Sequence, residues 1–170
     1  GSGAAILGGG SLLASGGATY TLTEATNNVG TLSMDTTAAA AFQYTDADAF
    51  TVGTVDSING ITTSAQNITL SSVGDNAAIT VSQAISTGAS GGDIAITADQ
   101  MVFSSTVNAG TGTITLSPEL TADTDDAVDL GGADAADTLG LTDTELDNLT
   151  AATLRIGAAS ATGGITVSAD

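Results

Sequence analysis

The feature that most constrains this chain is a short motif that keeps returning. An apolar residue, a small residue and a second apolar residue are followed by a turn. Tyr20-Thr21-Leu22, Phe50-Thr51-Val52, Ile68-Thr69-Leu70, Ile79-Thr80-Val81, Ile94-Ala95-Ile96 and Met101-Val102-Phe103 carry it. Ile114-Thr115-Leu116, Leu154-Arg155-Ile156 and Ile165-Thr166-Val167 continue it, and Val29 to Met34 is a longer variant. Alternation with period two is the mark of a strand with one buried face. Gly, Asn, Asp and Ser separate the triplets, and these residues turn a chain at least cost. The residues thus predict an all-β chain of many short strands.

Short strands at regular spacing are compatible with a sandwich, a barrel or a solenoid. Similar triplets after similar turns favour internal repetition, and so the solenoid. Paired hairpin turns are scarce, with Asn59-Gly60 the one candidate, so an antiparallel meander is poorly signposted. The expected fold is a right-handed parallel β-helix (β-solenoid). Ile94 and Ile96 then point inward with Ile114 and Leu116 stacked on them, while Ala95 and Thr115 point outward. Val102 and Val107 are expected to supply the other inner faces of that circuit. Ile79 lies at a different spacing from Ile68 and Ile94, so either it occupies another face or the coils vary in length. The Ala-rich stretch 36–48 is read as extended.

One segment breaks the strand pattern. In LGLTDTELDNLTAATLRI, residues 139–156, Thr142 and Glu145 have capping-box spacing, and Leu146 and Leu149 lie three apart. One short helix is expected near 142–149, with a return to strand at Leu154. The whole chain, 1–170, is read as a single solenoid segment. Within it, 1–48 is irregular, 49–120 holds regular coils, 121–150 is an acidic loop plus the short helix, and 151–170 is a final coil.

Composition narrows the function. The formal charge is −18, with one basic residue, Arg155, and no His or Cys. Nucleic acid and anionic membranes require clustered Lys and Arg, so neither is an expected partner. No disulfide or thiolate metal site can form. No stretch reaches the roughly 18 apolar residues of a membrane span. Residues 4–14 are apolar but broken by glycines, and read as strand and turn rather than a targeting segment. Polysaccharide lyases and hydrolases on β-helices use carboxylate pairs with basic and aromatic side chains. This chain has no Lys, His or Trp, and no enzyme is expected.

The acidic run Asp123, Asp125, Asp126 and Asp129, continued by Asp134 and Asp137, is the candidate for Ca²⁺, which takes several oxygen ligands from a flexible loop. Its spacing matches neither an EF-hand nor the Ca²⁺-binding nonapeptide repeat. The simpler reading is a solvated acidic loop with no cofactor.

The segments AFTVGTVDSINGITTSAQNITLSS (49–72), GGDIAITADQMVFSSTVNAGTGTITLSP (91–118) and LTDTELDNLTAATLRIGAASATGGITVSA (141–169) resemble passenger repeats of filamentous-haemagglutinin-type adhesins and autotransporter-like surface proteins. The resemblance implies a right-handed parallel β-helix, an extracellular place on a bacterial surface, and adhesion or surface structure as the role. No secretion domain or carboxy-terminal barrel of such proteins is visible in the chain. The expected function is a structural or adhesive stalk or filament subunit. Its partners are copies of itself or flanking repeats, and glycans or proteins of a neighbouring surface. A Ca²⁺-dependent surface binding module is the alternative, with a β-helix enzyme behind it.

Overall fold

The computed structural model of the protein describes residues 4–35, 40–120 and 126–168. In chain order the strands begin with β1 (Ser11–Ser15), β2 (Tyr20–Leu22), β3 (Thr31–Asp35), β4 (Phe42–Asp46), β5 (Phe50–Val52), β6 (Thr54–Val55) and β7 (Ile58–Asn59). There follow β8 (Ile61–Thr62), β9 (Ile68–Ser72), β10 (Ala78–Val81), β11 (Ile85–Ser86), β12 (Ile94–Thr97), β13 (Gln100–Phe103), β14 (Val107–Asn108) and β15 (Thr113–Ser117). The last are β16 (Ala127–Leu130), β17 (Thr138–Leu141), β18 (Leu149–Thr150), β19 (Thr153–Ile156) and β20 (Ile165–Val167), with one helical turn, α1 (Asp143–Leu146), between β17 and β18. Every triplet segment of the sequence coincides with or overlaps a strand.

The chain is all-β with mainly parallel sheets, one of them curled into a half-barrel. One sheet runs β2-β4-β9-β12-β15-β19, all parallel. The other large sheet forks at β3. Thr31 and Leu32 pair with β5, Met34 and Asp35 pair with β8, and β1 takes the opposite edge. One branch continues β5-β10-β13 and the other β8-β11-β14-β18. The three middle passes, β5-β8-β9, β10-β11-β12 and β13-β14-β15, therefore each lay one strand on each of three columns.

Register explains why the triplets repeat. Ile94 lies beside Ile68 and Ile114, and the same row extends through Phe42 to Tyr20 and on to Leu154. Leu22, Tyr44, Leu70, Ile96, Leu116 and Ile156 form the second inner row. A parallel neighbour about 4.8 Å away must present a similar side chain if the core is to stay filled. Ile68, Leu70, Ile94, Ile96, Ile114 and Leu116 are all fully buried. Ala95 and Thr115 lie on the outer, half-buried face. Ile79 stands on a different column from Ile68 and Ile94, and the passes also differ in length. All three Phe and Tyr44 are inside, with Tyr44 edge-on to Phe50 at 5.3 Å.

Three expectations need correction. Val107 points inward, but Val102 is 38% exposed, because Met101 and Phe103 take the inner positions of β13. The expected helical turn forms at Asp143–Leu146, but it does not reach 149, and Leu149 belongs to β18. The antiparallel strand pair, β6 with β7, turns at Asp56-Ser57 and not at Asn59-Gly60. Both turn residues have positive φ, 49° and 68°, as the tightest hairpin turns require. Gly60 serves another purpose. Its φ is +68°, and a Cβ there would lie 2.0 Å from the Ala84 carbonyl oxygen in the next pass. Within the stretch 36–48, Phe42–Asp46 is strand, as expected, and residues 36–39 lie outside the described residues.

Side chains tie successive turns together. Asn67 Oδ1 accepts from Asp93 N (2.9 Å), and Asp93 Oδ1 accepts from Thr113 N (2.8 Å). Buried Asn27 accepts from Ile6 N and donates to the carbonyls of Leu22 and Thr45. The buried Asp46 carboxylate accepts from Val29 N, Asp48 N and the Tyr44 hydroxyl. Burial first, then that carboxylate, pushes the Tyr44 hydroxyl well above the usual phenol range. Buried polar groups of this kind are tolerated because each is satisfied. Ser33, where β3 bends from one branch to the other, has a buried hydroxyl with no partner.

Two substitutions test this account. Gly60→Ala forces a strained φ against a backbone oxygen and should cost at least about 2 kcal/mol in urea unfolding. Ser33→Ala removes an unsatisfied buried hydroxyl and should leave stability unchanged or raise it by up to about 1 kcal/mol. A loss at Ser33 as large as at Gly60 would contradict the packing described.

Candidate functional site

The repeating pattern is interrupted at one place, beyond β13. The column β5-β10-β13 ends there, while the other two columns each gain a further strand, β18 and β19. Between β15 and β18 the chain instead makes an excursion. It forms β16, β17 and α1, and β16 pairs in parallel with β17 on one edge and with β20 on the other. β17 lies against β13 but belongs to a different sheet.

Side chains fill the gap between them. Asp134 Oδ2 accepts from Met101 N in β13 (3.1 Å), and Asp134 Oδ1 accepts from Gly140 N in β17 (2.9 Å). One carboxylate thus joins two strands that do not pair directly. Glu145 Oε1 accepts from Phe103 N (3.2 Å), the next outward-facing amide of β13. Asn148 Nδ2 donates to Phe103 O (2.8 Å). The exposed edge of a sheet is an array of unpaired donors and acceptors, and here three side chains occupy it.

The local sequence explains how Glu145 reaches that edge. Thr142 starts α1 with extended backbone, and Glu145 Oε2 accepts both Thr142 N (3.0 Å) and the Thr142 hydroxyl (2.7 Å). This is the reach-back half of a capping box, and it leaves Oε1 for Phe103. Leu146 packs against the core beneath. The resulting cleft, about 520 Å³, is lined by Val102, Phe103, Asp134, Thr144, Glu145 and Asn148.

The electrostatics are unfavourable at neutral pH. Asp134 is pushed up to about 6, first by burial and then by the charge of Glu145, against the lowering effect of the Gly140 and Met101 amides. No cation offsets the pair, since the chain's single basic residue, Arg155, is exposed on β19.

The candidate cation ligands are placed differently. Asp123 and Asp125 lie outside the described residues. Asp126 is buried, on the side of β16 that carries Val128, whereas strand alternation sends Asp129 to the opposite side. Both Asp129 oxygens accept from the Ser168 hydroxyl, at 2.7 and 2.8 Å. Among the described residues, no group of three or more acidic side chains is gathered as a metal would need. Asp137 turns the chain with φ 54°, and its amide donates to Asn76.

Sequence reasoning found the Thr142–Glu145 pair but not its second task, and it grouped Asp134 with the acidic run. A carboxylate that accepts from a strand edge leaves no local pattern, because its partners lie 33 and 42 residues away. No known protein family, curated protein or solved structure matches the chain.

Glu145→Ala removes an acceptor shared by Phe103 and Thr142 and should destabilise the protein by about 1–3 kcal/mol. Asp147→Ala, exposed two residues further on, should stay within about 0.5 kcal/mol. Urea unfolding of both variants checks the contrast.

Proposed function

We propose that the chain is a segment of a right-handed parallel β-helix that serves as a stiff structural or adhesive element on a bacterial surface. The single observation that carries this reading is the in-register row Tyr20, Phe42, Ile68, Ile94, Ile114 and Leu154. A chain that returns to the same column in parallel on every pass advances along one axis. The handedness follows from the strong preference of parallel crossovers for the right hand. Backbone hydrogen bonds then run along that axis, so stretching the molecule loads every layer at once.

The mechanism is mechanical, with no reacting centre. The carboxylates of the cleft are engaged by backbone amides rather than poised for proton transfer. Copies or flanking repeats stack end to end on the outermost strands. Among the described residues these carry exposed apolar side chains, with Leu154 44% and Val167 80% exposed. Solenoid units are stabilised by such nearest-neighbour interfaces. The acidic surface keeps stacked rods apart laterally and soluble. A place outside the cell fits a surface element that needs no thiol chemistry.

Small-angle scattering from two copies joined in tandem tests the reading. A rigid rod about twice the length of one copy is expected. A jointed pair of independent particles would overturn it. The same measurement with millimolar Ca²⁺ and then with chelator should give superimposable curves. A curve that lengthens only with Ca²⁺ would favour the cation-dependent module instead.

A further inference from the structure

The corner that joins the column of β10 and β13 to the column of β11 and β14 has a fixed length in two passes. Ser82, Gln83 and Ala84 lie between the inner residues Val81 and Ile85, and Ser104, Ser105 and Thr106 lie between Phe103 and Val107. In the preceding pass Val52 and Ile61 stand in the same two rows, yet the whole stretch Gly53 to Gly60 lies between them.

Backbone bonds show which of these residues make the corner. Leu32 O accepts from Gly53 N at 3.0 Å, as Val52 O does from Ser82 N and Val81 O from Ser104 N, both also at 3.0 Å. On the far side Gly60 O accepts from Met34 N (2.9 Å), as Ala84 O does from Ile61 N and Thr106 O from Ile85 N (both 3.0 Å). Gly53 and Gly60 are therefore the first and last corner residues, and Gly60 N donates directly to Gly53 O at 2.9 Å. With Asn59 as the middle residue, Thr54 to Ile58 are surplus to the circuit.

The surplus covers something. β6 and β7 both lie against β3, and β6 also reaches β1. These are the two passes without a corner: Ser33 alone separates Leu32 from Met34, and β1 follows β3 residue for residue. Leu32 and Met34 point into the core, so Ser33 points outward. An outward side chain meets solvent unless another element lies over it, and Ser33 is fully buried. Its neighbour in β1, Leu13, is half-buried. In the hairpin, Val55 and Ile58 stand opposite each other and are half-buried, while Thr54, Asp56, Ser57 and Asn59 are exposed. One face of the hairpin is thus apolar and covered, the other polar and wet.

We propose that the β6–β7 hairpin is a strap: an insertion that the corner does not need, laid across the outer face of β1 and β3 to hold the two cornerless passes onto the rest of the coil. β1 has a ladder partner on one edge alone, and such an end strand is the first to open. The strap gives it a second hold, from outside the ladder. This concerns one molecule and does not rest on the stacking proposed above.

Amide hydrogen exchange on the chain lacking only Thr54–Ile58 tests the strap. The deletion leaves Gly53-Asn59-Gly60, a corner of the same length as Ser82-Gln83-Ala84. Protection at Gly16 and Gly30, whose amides bond Asp35 O and Gly10 O between the first two passes, should fall on the order of tenfold. Protection at Ile68, Ile85 and Val107, whose bonds join later passes, should stay within about twofold. Val55→Ser combined with Ile58→Ser keeps the chain length and removes the apolar face, and it should lower protection at Gly16 and Gly30 in the same sense. A deleted chain that fails to fold, or that loses protection at Ile85 and Val107, would show that the coil needs the hairpin and would overturn the proposal. Unchanged protection at Gly16 and Gly30 after the deletion would overturn it as well, since the hairpin would then hold nothing down.

Discussion

Everything in this molecule depends on parallel, in-register stacking at a spacing of about 4.8 Å. At that distance a side chain has its equivalent from the next pass as its nearest inner neighbour. A gap in one layer cannot be filled from far away, so each row must hold residues of similar volume. Rows of Ile and Leu meet that demand, while the aromatic positions stretch it. Tyr20 lies beside Phe42, Tyr44 beside Leu70, and Phe103 continues the row of Val52 and Val81. Packing at crystal density leaves little tolerance for anything else. The constraint acts on rows and not on loops, which is why pass length can vary while register does not.

The turns answer a second demand. Where the chain leaves a strand, its amides lose their ladder partners, and buried amides must find others. Asn67 and Asp93 supply acceptors to the following pass, while Asn27 accepts from Ile6 N and donates to the Leu22 and Thr45 carbonyls. Asp46 satisfies two amides and a tyrosine hydroxyl from inside the structure. The same side-chain types that bend the chain therefore also bind one layer to the next. Composition that reads as plain turn residues is, in three dimensions, part of the axial bonding.

This division explains what was legible in the sequence. The triplets could be read because inward residues at i and i+2 are a local pattern, and Ile94 with Ile114 could be paired because a parallel stack repeats it. Val102 was assigned to the inside wrongly, since in Met101-Val102-Phe103 all three positions are apolar and alternation gives no phase. The two-residue strands β8, β11 and β18 were invisible, being too short to show a period, although Val107 of β14 was read as an inner residue. The turn at Asp56-Ser57 carries no Gly, so composition pointed to the neighbouring Asn59-Gly60. At the candidate site, the spacing of Thr142 and Glu145 was visible, but the strand edge that Glu145 serves was not.

The junction at Asp134 belongs to the same logic as the rows. A third column that grew like the others would place a strand directly on β13, with amide-to-carbonyl bonds indifferent to pH. The chain instead inserts an excursion whose strand β17 lies against β13 without pairing, and it bridges the difference with side-chain oxygens. In a protein with many basic residues such carboxylates would be neutralised by a Lys or Arg nearby. Here a net charge of −18 and a lone basic residue, Arg155, exposed on β19, leave that option out. Backbone amides are then the strongest available partners for a half-buried carboxylate, and they compensate its burial only in part. The acidity of the chain thus leaves the carboxylates at this junction with backbone amides as their partners.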